Sequence, residues 1–261
     1  MTKGDLHIMA KITSFSNQKG GVGKTTTCVN LSAYLAIMGK KVLLIDIDPQ
    51  GNATTGLGIN KTALKKSTYS LLTGDYDDVK ELIKPTPIKN LDIIPSNIDL
   101  AGAEIELVNL PSRDRIMTEA IKNIKDDYDY ITIDCPPSLG LLTINALAAS
   151  NSVLIPIQSE FYALEGLSQL MNTIRLVIKH LNPNLTLEGV VLTMYDNRSL
   201  MSRQIAEEIK KYYSKKLYTI KIPRNIRLSE APSHGVPIHI HDPNCSGALA
   251  YAALAKEFAS R

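Results

Sequence analysis

Residues 18–26 read Gln-Lys-Gly-Gly-Val-Gly-Lys-Thr-Thr, and this stretch decides the fold. Gly20, Gly21 and Gly23 let the backbone turn tightly around Val22 and aim N–H groups at phosphate oxygens. A helix starting near Lys24 offers its free amides and its dipole to the same negative charge. Lys24 is placed to reach the β- and γ-phosphates of a nucleotide, the Thr25 hydroxyl to ligate Mg²⁺, and Thr26 to continue the cradle. The first glycine of the common GxxxxGK[ST] pattern is replaced here, and Lys19 is the unusual feature. Taken alone, the loop would accept ATP or GTP. A glycine-rich turn with incidental Lys and Thr is the competing reading, and the elements on either side argue against it.

Before the loop, residues 11–16 are a short mixed strand. After it, 25–38 is a helix rich in Leu and Ala, stopped by Gly39. Residues 41–45, Lys-Val-Leu-Leu-Ile, carry the pattern of a buried parallel strand. Strand, glycine loop, helix and strand make a βαβ unit. The alternation continues with strands at 91–95, 130–134, 152–157, 187–194 and 216–222. Helices are expected at 99–108, 113–125, 139–149, 163–180, 200–213 and 247–258. This order predicts an α/β protein with a three-layer P-loop NTPase fold, a mostly parallel sheet with helices on both faces. No Pro/Gly/Ser-rich linker, repeat or low-complexity tract divides the chain. One P-loop ATPase domain is therefore expected over 11–261, preceded by a flexible arm at 1–10. Ligands belong beyond the carboxyl ends of the strands.

Two acidic positions follow strands. Asp134 ends the apolar run 130–133 and precedes Cys-Pro-Pro, the Walker B position, where it would hold Mg²⁺ through water. Asp46 and Asp48 end the strand at 42–45 and precede Pro-Gln-Gly-Asn. One of them could orient an attacking water and the other brace the metal shell. Either could instead cap a helix or a turn, and the pattern does not rank them.

Composition narrows the class. Of 261 residues, 44% are apolar and 21% charged, the make-up of an ordinary soluble globular protein. No apolar run approaches the roughly 18–20 residues of a membrane span, and no secretory leader is visible. Cys28, Cys135 and Cys245 form neither a disulfide framework nor a CxxC site, as expected of reduced thiols in a cytosolic protein. The net charge of +3 hides an uneven distribution: residues 196–227 hold nine Lys/Arg against three acids, +6 in all, leaving −3 elsewhere. Such a stretch can be a polyanion footprint or simply a solvated lysine-rich helix and loop.

Three blocks together carry a family resemblance: Lys19-Gly-Gly-Val-Gly-Lys24-Thr-Thr, Asp46-Ile-Asp48-Pro-Gln-Gly-Asn-Ala-Thr54, and Asp134-Cys-Pro-Pro-Ser138. A fourth, Pro223-Arg-Asn-Ile-Arg-Leu-Ser-Glu-Ala-Pro-Ser-His-Gly235, lies near the end. The chain resembles the small ParA family of chromosome- and plasmid-partitioning ATPases, especially its Soj-like branch, over roughly residues 11–259. The first block alone marks the broader deviant Walker A class, which includes MinD and the nitrogenase iron protein. The blocks at 46–54 and 223–235 are more specific.

The resemblance implies ATP and Mg²⁺ as ligands. It implies that Lys19 crosses the interface of an ATP sandwich homodimer to the partner's phosphates, in the manner of an arginine finger. Lys24 becomes the ordinary Walker lysine and Asp48 the acid that acts on the hydrolytic water. Asp46 supports it in the switch region, with Asp46, Thr25 and Asp134 around the metal. Pro223, Arg224 and Asn225 fall where the family builds its adenine and ribose pocket. The family binds double-stranded DNA without sequence preference. Its DNA-contacting arginines correspond to Arg198 and Arg227, with Arg203, Lys210, Lys211, Lys215 and Lys216 as further phosphate contacts. A ParB-type centromere-binding protein stimulates hydrolysis. These properties imply a cytoplasmic, nucleoid-associated protein.

The rivals fit less well. MinD carries a C-terminal amphipathic membrane helix, whereas the apolar residues of the last helix here suit core packing, so no membrane partner is expected. Neither Cys28 nor Cys135 is placed to share a cluster across a dimer. The roughly ten residues before the first strand leave no room for the N-terminal DNA-binding domain of larger plasmid ParA proteins. A non-catalytic nucleotide-dependent interaction module is the rival of another kind, and Asp48 argues against it. His234, beside Gly235, reads as a turn or packing residue rather than a catalytic one.

Overall fold

The computed structural model describes residues 10–160 and 163–261. The arm expected at 1–10 lies outside this range except for Ala10, which is buried against the core. Seven strands form one sheet in the order β3-β4-β2-β5-β1-β6-β7. They are β1 Lys11–Phe15, β2 Val42–Asp46, β3 Lys84–Pro85, β4 Leu91–Ile94, β5 Tyr130–Asp134, β6 Ser152–Gln158 and β7 Thr186–Thr193. All pairings are parallel except the two-residue β3, which runs antiparallel on the edge of β4.

The expected three layers are present. On β2, Val42 and Leu44 face a cluster built with Leu31, Leu35, Leu254 and Phe258 of the first helix (Lys24–Ile37) and the last (Ser246–Ser260). Leu43 and Ile45 point the other way, into a cluster with Leu72, Leu100 and Leu142. Near the far edge, Ile155 and Val190 pack with Leu170 and Ile174 of the helix Ala163–His180 and Ile209 of the helix Leu200–Tyr213. A strand buried on both faces needs apolar residues at every position, and this is why 41–45 lacks alternation. Register brings Asp46 opposite Asp134, and Phe15 opposite both Asp134 and Leu154. The carboxyl ends of the central strands thus converge on one rim.

Several elements differ from the sequence expectation. Residues 216–222 do not form a strand; only isolated bridges join Leu217 to Val190 of β7 and Pro223 to Tyr195 beyond its end. The amides of Thr219 and Ile220 donate instead to the Glu257 carboxylate at 3.0 and 3.1 Å, which draws the middle of the segment away from the sheet. The long helix expected at 113–125 is the short Ile116–Ala120 followed by single 3₁₀ turns. Asn145 accounts for the late start: its amide donates to the Arg113 carbonyl (2.7 Å) and its Oδ1 accepts from the Met117 amide (3.1 Å), in place of the helical bond between those two residues. Between 46 and 90 the sequence carries no sustained periodicity, yet the fold places the short helices Asn52–Gly56 and Thr68–Thr73 there together with β3.

Candidate nucleotide site and basic surface

The glycine loop leaves β1 and turns into the first helix through Gly23, whose φ of 81° is left-handed and suits glycine. Two side chains tie it to neighbouring strands. Asn17 Nδ2 donates to the Pro156 carbonyl (2.8 Å) while its Oδ1 accepts from the Lys19 amide (3.0 Å). Thr193, the last residue of β7, donates its hydroxyl to the Val22 carbonyl at 2.7 Å. Neither stands out in the sequence, because an Asn or Thr at a strand end has no signature until the partner strand is known.

Lys24 is buried, and its ammonium donates to the Lys19 carbonyl at 3.1 Å, folded back into the loop. Burial lowers its pKa, against the pull of Asp134, Cys135 and Asp48. Lys19 behaves differently: it is exposed on the loop and its ammonium pairs with Glu160, after β6. The two lysines five residues apart therefore point to different places, one inward and one across the mouth.

The acids can now be ranked. Asp46 is fully buried with both oxygens engaged. Oδ1 accepts from the Asp48 amide (3.1 Å), and Oδ2 accepts from the Thr54 amide (2.8 Å) and hydroxyl (2.7 Å). Burial pushes its pKa up to about 6, with the Thr54 and Asp48 donors opposing. Thr54 Oγ1 in turn accepts from the Ser96 amide at 2.8 Å. Asp46 is thus a clamp that ties the end of β2 to the helix Asn52–Gly56 and to Ser96. Thr54 closes the sequence block at 46–54, where nothing local assigns it a role of its own. Gly51 makes the clamp possible: its φ is 60°, and a Cβ there would lie 2.7 Å from the Ser96 carbonyl oxygen.

Asp48 uses Oδ1 to accept from the Gln50 amide (3.0 Å), and its Oδ2 takes no hydrogen bond among the described residues. Asp134 is fully buried, and neither carboxylate oxygen has a partner among the described residues. Burial raises its pKa well above the usual range, the Asp46 charge adds to this, and Thr25 and Lys24 beside it act the other way. A buried, unpartnered carboxylate is costly. It fits a cation held between Asp134 and the Thr25 hydroxyl. Among the described residues no group of three or more His, Cys, Asp or Glu could hold a metal. Cys28 and Cys135 are buried thiols whose pKa values burial raises, so neither offers a thiolate.

A cavity of about 350 Å³ opens beside the loop, lined by Gly23, Thr26, Met194, Pro223, Arg224 and Asn225 among others, with Tyr251 also on its wall. Pro223, Arg224 and Asn225 thus share this cavity with Gly23 and Thr26 of the loop. The Asn225 amide, however, is engaged elsewhere. Its Oδ1 accepts from the Arg227 amide (2.8 Å), capping the helix Ile226–Glu230, and its Nδ2 donates to Ser246 Oγ (2.9 Å).

The fold divides the basic stretch. Arg198, its side chain 88% exposed, pairs with Asp196 (3.1 Å) and shares a cleft with Lys221 and Arg224 just beyond the carboxyl end of β7. Arg227 pairs with Glu230 (2.9 Å) and Asp242 (3.6 Å). Lys215 and Lys216 lie with Lys11 and Arg261 around Thr186, at the opposite end of β7, because the helix Leu200–Tyr213 carries the chain down the sheet. They are not neighbours of Arg198. His234 stacks on His241 with ring centroids 4.9 Å apart, a packing position.

The family described as an AAA domain matches residues 10–187. The sporulation initiation inhibitor protein Soj of Bacillus subtilis is 61% identical over 252 residues, covering 97% of this chain and 99% of that one. The chromosome partitioning protein ParA of Myxococcus xanthus is 50% identical over 253 residues, 97% of this chain and 89% of that one. The chain belongs to the ParA/Soj family of partitioning ATPases. Among solved structures, cobyrinic acid a,c-diamide synthase of Mycobacterium smegmatis, with a bound ATP analogue and magnesium, superposes with a TM-score of 0.83. It is 35% identical, covering 95% of this chain and 93% of that one. The P-loop NTPase architecture of this ParA/Soj relative is thereby shown independently of its motifs. Among the described residues no helix is long and apolar enough to cross a membrane, and the last helix buries Tyr251, Leu254 and Phe258 in the core.

Proposed function

We propose that this protein is a Mg²⁺-dependent DNA-partitioning ATPase. It closes as a homodimer around ATP, binds double-stranded DNA without sequence preference, and hydrolyses ATP to ADP and phosphate when a ParB-type partner stimulates it. The observation that carries the reading is the unpartnered, buried Asp134 carboxylate beside Lys24 and Thr25 of the glycine loop. The named relatives support the biological setting.

In this reading, the backbone amides of Gly20, Gly21, Val22, Gly23 and Thr26 bind phosphate oxygens, and Lys24 exchanges the Lys19 carbonyl for the β- and γ-phosphates. Thr25 and Asp134, with Asp46 behind them, would hold Mg²⁺, which would supply charge neutralisation on the phosphates. Asp48, with one carboxylate oxygen free, takes the proton of the attacking water. Asp46 holds Asp48 in place through the Asp48 amide. Lys19 leaves Glu160 and reaches the partner's phosphates. The nucleoside lies in the cavity walled by Pro223, Arg224 and Asn225. Arg198 and Arg227 contact DNA phosphates, which gives strong salt dependence and little sequence readout. ATP stabilises the dimer by mass action and hydrolysis removes that stabilisation. Dimerisation doubles the basic surface, and such a protein is cytoplasmic and nucleoid-associated.

The test is turnover with DNA and the cognate ParB-type protein together. A rise in phosphate release that requires Mg²⁺ and both additions supports the proposal. Unchanged release with both present contradicts it in favour of a non-catalytic module.

A further inference from the structure

Two stretches of the basic region share a pattern that charge alone does not explain. Arg198-Ser-Leu-Met-Ser-Arg203 places two large apolar residues between arginines, and Arg224-Asn-Ile-Arg227 places one. None of the three is buried: Leu200 is 62% exposed, Met201 53% and Ile226 70%. A single exposed apolar residue is ordinary, whereas several on one charged surface mark a contact. The fold sets the two stretches side by side, since Tyr195 bridges to Pro223 and Arg198 shares its cleft with Lys221 and Arg224.

Leu200 and Met201 are also held ready. They open the helix Leu200–Tyr213, whose first turn Ser199 caps by accepting from the Ser202 amide (3.3 Å). Ser202, Ile205, Ala206 and Ile209 turn inward and anchor the helix, so Leu200 and Met201 project from a backbone already fixed. Covering them then costs little ordering entropy. At helical spacing Arg203 is the neighbour of Leu200 on the next turn. In the cleft three cations, Arg198, Lys221 and Arg224, meet one acid, Asp196. The remaining acids on these elements are Glu230 and Asp242, paired with Arg227, Glu208, paired with Lys211, and Glu207, two turns along the helix from Leu200. Apolar tips between cations match a duplex groove, where phosphates line both edges and a base step can accept a Leu or Met wedge.

We infer that Leu200 and Met201 enter a groove of double-stranded DNA as an apolar wedge between phosphates held by Arg198 and Arg203, and bend the duplex there, an inference that rests on the DNA-binding reading above. The wedge supplies a part of the affinity that salt does not screen and that requires no particular base. The experiment measures duplex affinity across a salt series, and bending by energy transfer between the labelled duplex ends, for the full chain with ATP and Mg²⁺ in an Asp48→Ala background. Adding Leu200→Ala together with Met201→Ala should lower affinity about tenfold at every salt concentration. The slope of log K against log salt should stay as it was, the bend should be lost, and the circular dichroism spectrum and the ATP-dependent dimer should be unchanged. Exchanging the two side chains, Leu200→Met with Met201→Leu, should keep both affinity and bend. The inference is overturned if the alanine pair leaves either the affinity or the bend as it was, or if the parent protein binds the duplex without bending it. It is overturned too if affinity falls only together with the salt slope, since the pair then acts by placing the arginines. Unchanged DNA binding with lost retention on phosphatidylglycerol vesicles also overturns it, because the tips then meet a membrane. An Asp48→Ala protein that fails to bind DNA with ATP overturns the DNA-binding reading itself, a distinct result.

Discussion

The rim at the ends of β1, β2 and β5 and the basic region between Asp196 and Arg227 treat charge in opposite ways. On the rim, Lys24, Asp46, Asp48 and Asp134 are all buried. Each is either held by short bonds to backbone or left without a partner. In the basic region Arg198 and Arg227 are largely in solvent and rest on acids two and three residues away. A desolvated charge acts strongly and locally, because little water screens it. An exposed charge acts weakly, at longer range, and in a salt-dependent way. The first arrangement suits a chemical site and the second a polyanion surface.

The largest expected effect lies on the buried side. Lys24→Met should weaken ATP binding by about 3–4 kcal/mol, roughly 10²–10³-fold, because a buried cation no longer meets the phosphates. The same change removes a desolvated cation, so the unliganded protein should not lose stability. Calorimetric titration and thermal melting of the one variant read both, and tight binding retained would remove Lys24 from the site. Asp48→Ala should cut stimulated phosphate release about 10²-fold or more with ATP binding preserved. Normal turnover would return the catalytic role to Asp46 or to another group.

The clamp gives an effect of intermediate size with a defined pH dependence. Thr54→Val deletes the hydroxyl that donates to Asp46 Oδ2, a bond to a charged group worth about 2 kcal/mol. Asp46 titrates at about 6, above the ordinary carboxylate value, so folding favours its protonated form between the two values. The charged form that needs the Thr54 donor predominates only above pH 6. The destabilisation by Thr54→Val should therefore be full at pH 8 and shrink by pH 5. Denaturant melts at the two pH values decide, and a loss that grows on acidification would contradict the clamp.

The smallest effect belongs to the exposed side. Arg198→Ala or Arg227→Ala should lower DNA affinity uniformly across sequences and reduce the slope of log K against log salt by about 1 for each phosphate no longer neutralised. The dimer should be untouched. An effect confined to particular sequences would break the contrast between the regions.

The same contrast explains what the sequence could tell. The glycine loop, the strand at 42–45 and the strand ending in Asp134 are legible because a local pattern suffices: glycine spacing, an apolar run, an acid at its end. The placement of Asp46 is not, because its partners Thr54 and Ser96 meet only after the chain folds back on itself. Thr193 and Asn17 brace the loop from positions with no local mark. The segment 216–222 has the composition of a strand, and Glu257, far along the chain, takes two of its amides. The basic stretch looks continuous in sequence, yet one helix separates Arg198 from Lys215 by the length of the sheet.

If occupancy of the buried rim controls the exposed surface, DNA retention by the Asp48→Ala protein at low salt must depend on which nucleotide is present. Strong retention is expected with ATP and little with ADP, and adding Arg198→Glu should abolish the ATP-dependent part. Equal retention with the two nucleotides would contradict that control.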